Sequence, residues 1–234
     1  IVADKRRKEF AEFIDKNYPA EKVKEILGLF SNRSNDKLIK DTVSPDATVP
    51  TIYEYVVGIA WYYFSGKRVD ILSSYNLTLS ANFEPLVHAG GGQGDIVIYE
   101  DDKVVMLEAT LMNASSQKRG EWEPVLRHSI NLKVEEETAN TGREVTSFFI
   151  KERFDYNTIN IWKAVAAVPL QSSTDKDKFT DNVVIMPVNT DELSSLIDKS
   201  SEYDEIISKV HKLFEVDKIN FDIEWREKFM GAII

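Results

Sequence analysis

The sequence predicts an α/β domain with a mixed central sheet flanked by helices, with helical extensions at both ends. Three observations predict it. Apolar residues recur at helical spacing near both termini. A hairpin signature stands mid-chain, with residues 96–99 extended, an acidic turn at Glu100, Asp101 and Asp102, and residues 103–111 extended again. Beyond the hairpin, helical and extended stretches alternate, which is the pattern of a sheet covered by crossover helices.

Taken in order, residues 4–30 read as two helices. Phe10, Phe13 and Ile14 share one face, and Val23, Ile26, Leu27 and Phe30 another, with Pro19 suited to the first turn of the second. Residues 31–50 carry Asn32, Ser34, Asn35, Ser44, Pro45 and Pro50, which is loop composition. It suggests a boundary between an N-terminal helical segment (1–45) and the main domain (46–234). A strongly apolar helix follows over 51–64, and Gly66 is a natural stop for it. Residues 77–87 hold short apolar pieces with no clear period. Val104, Val105, Met106 and Leu107 are apolar on both faces, so their strand is expected at the centre of the sheet. Residues 115–138 read as a long charged helix, 145–150 as a strand, 158–168 as a helix and 183–188 as a strand. Helices are expected near 190–199, 202–214 and 222–230.

The 234 residues are 43% hydrophobic and 11% aromatic, enough for a sizeable core in one domain with a small helical appendage. The longest apolar run, 56–64, is about half of the roughly 18 residues a membrane span needs, so no membrane association is expected. Lys5, Arg6, Arg7 and Lys8 have no apolar run after them, which predicts no signal peptide. The chain begins with Ile1 rather than Met, which is read as a piece of a longer protein or a trimmed chain. With no cysteine, disulfides, zinc ribbons and thiol chemistry are excluded. A cytoplasmic location is the simple expectation. The net charge is −10, from 29 basic and 39 acidic residues. Such a chain is expected to bind nucleic acid weakly by itself, because phosphate binding is dominated by Lys and Arg.

The chemistry centres on Asp95 and Glu108. Asp95 follows the run Gly90-Gly91-Gly92-Gln93-Gly94 and opens one hairpin strand; Glu108 sits thirteen residues later in the other. The hairpin places them side by side at one end of the sheet. A carboxylate ending a buried strand is costly without a partner, and two that converge repel unless a cation joins them. Mg2+ takes one or two carboxylates with waters and substrate phosphate. Further on stands Gln117-x-x-x-Glu121-x-Glu123-Pro124-Val125-x-Arg127-His128. On a continuous helix Glu121 and His128 share a face, where they could hold a water, act as acid or base, or complete a metal shell. Pro124 either starts that helix or kinks it. Glu121 and Glu123 compete for the same role. The plain alternatives are Asp95 as a turn residue, Glu54 on the polar side of its helix, His128 on a helix surface, and Lys118 with Arg119 as a solvated pair. Trp61, Tyr62 and Tyr63 read as core, and His88 and His211 as without a role.

These residues resemble the cleavage domain of the AlwI-like type IIS restriction and nicking endonucleases, within the PD-(D/E)xK nuclease superfold. The matching pieces are Pro50-x-x-x-Glu54, Gly90-Gly91-Gly92-Gln93-Gly94-Asp95-Ile96-Val97, Leu107-Glu108-Ala109-Thr110-Leu111, Glu121-x-Glu123-Pro124-Val125-x-Arg127-His128, and Ile159-Asn160-Ile161-Trp162. They cover about half the chain, and their order and spacing are the specific part. The resemblance implies a restriction-endonuclease-like mixed sheet and Mg2+-dependent hydrolysis of double-stranded DNA. It implies Asp95, Glu108 and the Ala109 carbonyl as metal ligands, with Glu54, Glu121 and His128 accessory. It also implies a recognition domain or large subunit as partner. The Lys that the wider superfold places two residues after its Glu is Thr110 here, a departure the AlwI-like group shares. The role of activating water is thereby left to Glu121, His128 or the metal alone. A non-catalytic interaction module on this fold, and a nuclease for RNA or repair intermediates, are the rival readings.

Overall fold

Strand β4 (Lys103–Ala109) is buried at every position, as its two-faced apolar pattern requires. The computed structural model describes residues 2–88, 90, 92–111, 122–216 and 222–234. In it β4 lies between β3 (Ile96–Tyr99) and β5 (Glu144–Lys151), and β8 (Val184–Asn189) completes the order β3-β4-β5-β8. The β3–β4 pair is antiparallel, joined by the acidic turn; β4–β5 and β5–β8 are parallel. The sheet is therefore mixed, as predicted. Two small antiparallel pairs stand apart. They are β1 (Thr78–Leu79) with β2 (Pro85–Val87), and β6 (Leu170–Gln171) with β7 (Phe179–Thr180). Strands of two or three residues are too short to leave a readable period.

One sheet face presents Ile96, Ile98, Val105, Leu107, Phe148, Ile150, Met186 and Val188 to the main core. Against it packs α4 (Val49–Phe64), in which every residue but Pro50 is buried. Thr48 caps this helix by accepting the Thr51 amide on its side chain. Gly58 is required there, since a Cβ would lie 2.4 Å from the Tyr75 ring. That ring lies against the helix and donates its hydroxyl to the Tyr55 carbonyl at 2.6 Å. Helices α1 (Val2–Asn17) and α2 (Ala20–Leu29) bury Phe10, Ile14, Val23, Ile26 and Leu27 in the same core as α4. The stretch expected to be loop, 31–50, contains a 3-10 turn (Arg33–Asn35) and a short helix, α3 (Asp36–Thr42). One fully buried side chain, Ile39, docks that helix; its otherwise polar composition hid it. A one-turn helix, α5 (Ile71–Ser74), leads into Tyr75.

The other sheet face presents Val104, Met106, Val145, Phe149 and Ile185 to smaller clusters under α6 (Trp122–Thr138) and α7 (Tyr156–Val165). Helix α8 (Thr190–Leu196) starts from a capping box between Asn189 and Glu192. A 3-10 segment (Ile197–Glu202), α9 (Tyr203–Val216) and α10 (Trp225–Ile233) finish the chain. Arg226 of α10 donates to the Pro187 carbonyl at 3.0 Å and so covers the outer edge of β8. Among the described residues no helix is long and apolar enough to cross a membrane.

Candidate active site

The site forms where β3 begins and β4 ends. Gly94 passes directly over β4: a Cβ there would lie 2.5 Å from Met106 Cγ and 2.7 Å from its Sδ. Only glycine brings the following residue so close to the strand end. Asn76 clamps the same peptide, its amide donating to the Asp95 carbonyl at 3.0 Å and its side chain to the Gly94 carbonyl. Nothing local in the sequence marks Asn76, because its contacts lie nearly twenty residues away. The Asp95 carboxylate is then fixed by the Ala109 amide, which donates to Oδ2 at 2.8 Å.

Ile96 pairs with Leu107, so the next pair outward sets Asp95 beside Glu108. Glu108 shares a face with Met106, toward α6, and is 8% exposed. Its Oε1 lies 2.7 Å from His128 Nδ1 on α6. With that nitrogen donating, a neutral ring presents Nε2 as an acceptor, a tautomer assigned from the contact. Nε2 is buried and has no hydrogen-bond partner among the described residues. His128 also lines a cavity of about 130 Å3 with Asn76, Gln93, Gly94, Met106 and Asn131.

Glu54 enters from α4. It is buried, not on a solvated helix face, because α4 is enclosed on all sides. Burial pushes the Asp95 carboxyl well above the usual carboxylate range, and Glu108 and Glu54 push it further; the Ala109 amide opposes them. Burial likewise raises Glu108, against the hydrogen bond from His128 and the charge of Arg127. The fold thus brings Glu108 and Glu54 close enough to Asp95 for both charges to act on it at the end of the sheet. Removing like charges from water together is unfavourable unless a proton or cation joins them. Among the described residues no three His, Asp or Glu side chains are gathered to hold an ion by themselves. Two carboxylates completed by a backbone carbonyl and water suit Mg2+ without a third side chain, and Asp95, Glu108 and Ala109 offer that set.

Glu121, Lys118 and Arg119 lie outside the described residues. Glu123 is turned to its own helix, its carboxylate 3.1 and 3.4 Å from Arg127 Nε. Pro124 falls in the first turn of α6, where its missing N–H costs little. The Ile159-Asn160-Ile161-Trp162 stretch is structural: Ile159 and Trp162 are buried, and Trp162 Nε1 donates to the Trp122 carbonyl at 3.3 Å. It ties α7 to the start of the helix that carries His128. Trp61, Tyr62 and Tyr63 are core, as expected. His211, on α9, is buried with its Nδ1 3.4 Å from the Thr146 hydroxyl.

A family model described as the AlwI restriction endonuclease matches residues 1–196. Among solved structures, one that matches is the small subunit (R.BspD6I2) of the heterodimeric restriction endonuclease R.BspD6I. It superposes with a TM-score of 0.57 at 16% identity, over 89% of this chain and 96% of that one. At such identity the likeness is one of fold. No curated protein matches the chain.

Proposed function

The chain belongs to the AlwI restriction endonuclease family, and from that premise we propose that it is the Mg2+-dependent cleavage domain or subunit of a type IIS-like restriction enzyme. The observation that carries the reading is Asp95 set beside Glu108 at one end of the sheet, with His128 on Glu108 and the charge of Glu54 acting on Asp95. The substrate is double-stranded DNA. Water attacks phosphorus, the bond from phosphorus to the 3′ oxygen breaks, and that oxygen takes a proton. A 5′-phosphate and a 3′-hydroxyl result.

Asp95 and Glu108 would hold the ion with the Ala109 carbonyl, and Glu54 and Glu121 would serve beside them. When bound, Mg2+ supplies charge to the phosphate and makes water easier to deprotonate. The Ala109 amide fixes one Asp95 oxygen and thereby aims the other. His128 orients Glu108 through Nδ1 and keeps Nε2 as an acceptor for a proton. Gly92 and Gly94, which line the cavity beside His128, would let a bulky strand approach.

Target recognition is supplied elsewhere. The −10 charge leaves the chain poorly equipped to hold DNA tightly, and the structural relative is by its description one subunit of a heterodimer. A cutter that binds weakly is restrained until a recognition domain or large subunit delivers it. Plasmid cleavage in Mg2+, with and without such a subunit and beside Asp95→Ala, tests this. Cleavage that depends on Asp95 and rises with the subunit is expected. Undiminished cutting by Asp95→Ala, or none under either condition, ends the reading.

A further inference from the structure

Two turns into α6, on the residue before His128, stands a cation that the proposed chemistry has not used. The Arg127 side chain is 35% exposed and its Nε faces both oxygens of Glu123, one turn earlier on the same helix. An exposed i,i+4 pair is worth little in water, so Glu123 holds Arg127 in place without committing it. The position is specific. His128, the next residue, is in contact with Glu108, and Arg127 lies close enough for its charge to act on Glu108 as well. Around it the site is acidic, with Glu54, Asp95 and Glu108 all repelling a phosphate that approaches.

Phosphates recur along each DNA strand at about 3.4 Å of rise. When one is at Glu108, a neighbour lies within reach of a long side chain at position 127. A guanidinium fork matches two oxygens of a phosphate as it matches those of a carboxylate. We infer that Arg127 anchors a backbone phosphate next to the one being cut, and that Glu123 is the placeholder which this phosphate displaces. The inference rests on the Asp95–Glu108 edge being the cleavage centre. It gives the two charged residues of one helix opposite effects on the same binding event.

The test is fluorescence anisotropy of a labelled DNA duplex titrated with the full chain. Divalent ions are chelated so that the duplex stays intact, and ionic strength is varied upward from a low value where a weak binder still binds. Arg127→Gln should bind more weakly, and its log–log salt slope should be shallower by about 0.9, the loss of one phosphate contact. Arg127→Lys should restore the slope. Glu123→Gln should bind about two- to fivefold more tightly, the range of an exposed ion pair, with the slope unchanged. A purely structural pair would alter melting temperature and leave slope and affinity alone. Arg127→Gln with wild-type slope and affinity, or Glu123→Gln with weakened binding, overturns the inference. Wild-type cleavage in Mg2+ is scored separately. A chain that cuts while Arg127→Gln binds like wild type refutes the anchor alone, whereas a chain that never cuts removes the reading beneath it.

Discussion

Replacing Asp95 with Asn should stabilise the metal-free protein while abolishing cleavage. Asn keeps an oxygen to accept the Ala109 amide, now 2.8 Å from Oδ2, so the roughly 1–3 kcal/mol cost of orphaning a buried donor is avoided. The other oxygen becomes an NH2, which removes the like charge that Glu108 and Glu54 meet at Asp95. Relief of this kind at a functional site typically brings about 1–2 kcal/mol. For a domain of this size that is about 2–8 °C in Tm. The effect depends on pH. Burial and its two acidic neighbours raise Asp95 in the folded state. An acid so raised contributes stability that is complete below its unfolded pKa and lost as pH rises through the folded one. The gap between Asp95→Asn and wild type should therefore be small in acid and widen as pH climbs above the ordinary carboxylate range. Added Mg2+ should narrow it, since the ion stabilises only the wild type. Thermal melts across pH, in chelator and in Mg2+, measure all of this. A variant that melts below wild type in chelator at neutral pH, or a gap that shrinks as pH rises, would refute the reasoning.

His128→Ala should slow single-turnover cleavage by about 10²–10⁴-fold, the usual contribution of a positioned acid–base group, with Mg2+ affinity nearly unchanged by calorimetry. Glu108→Ala should lose both, and a His128 variant that cuts at the wild-type rate would place that ring outside the chemistry. Gly94→Ala should cost about 1–3 kcal/mol by overpacking against Met106; an unchanged melting temperature would mean that Met106 moves aside freely. Alone at physiological salt the chain should bind duplex DNA weakly and without site preference. Tight, site-specific binding in a gel-shift assay would contradict the division of labour proposed here.

Much of this protein is legible in its residue order. The apolar run at 104–107 fixes a central strand because only a strand covered on both faces can be apolar on both. The acidic turn and the hairpin then dictate that Asp95 and Glu108 are neighbours, since antiparallel register follows from turn length. Glycine at 94 points to a close approach, though not to Met106 as the neighbour. Other features were decided only in three dimensions. Glu54 reads equally well as a solvated helix residue; it is buried because Ile39, Tyr75 and the sheet enclose α4 on every side, a fact of long-range packing. Asn76 has no local signature, for its partners are the carbonyls of Gly94 and Asp95. Helical spacing favours Glu121, which is seven residues from His128 and so on its face, over Glu123; the ion pair with Arg127 is what turns Glu123 along the helix surface. Periodicity specifies which face a side chain takes, whereas the identity of what meets that face depends on chain segments that only folding brings together.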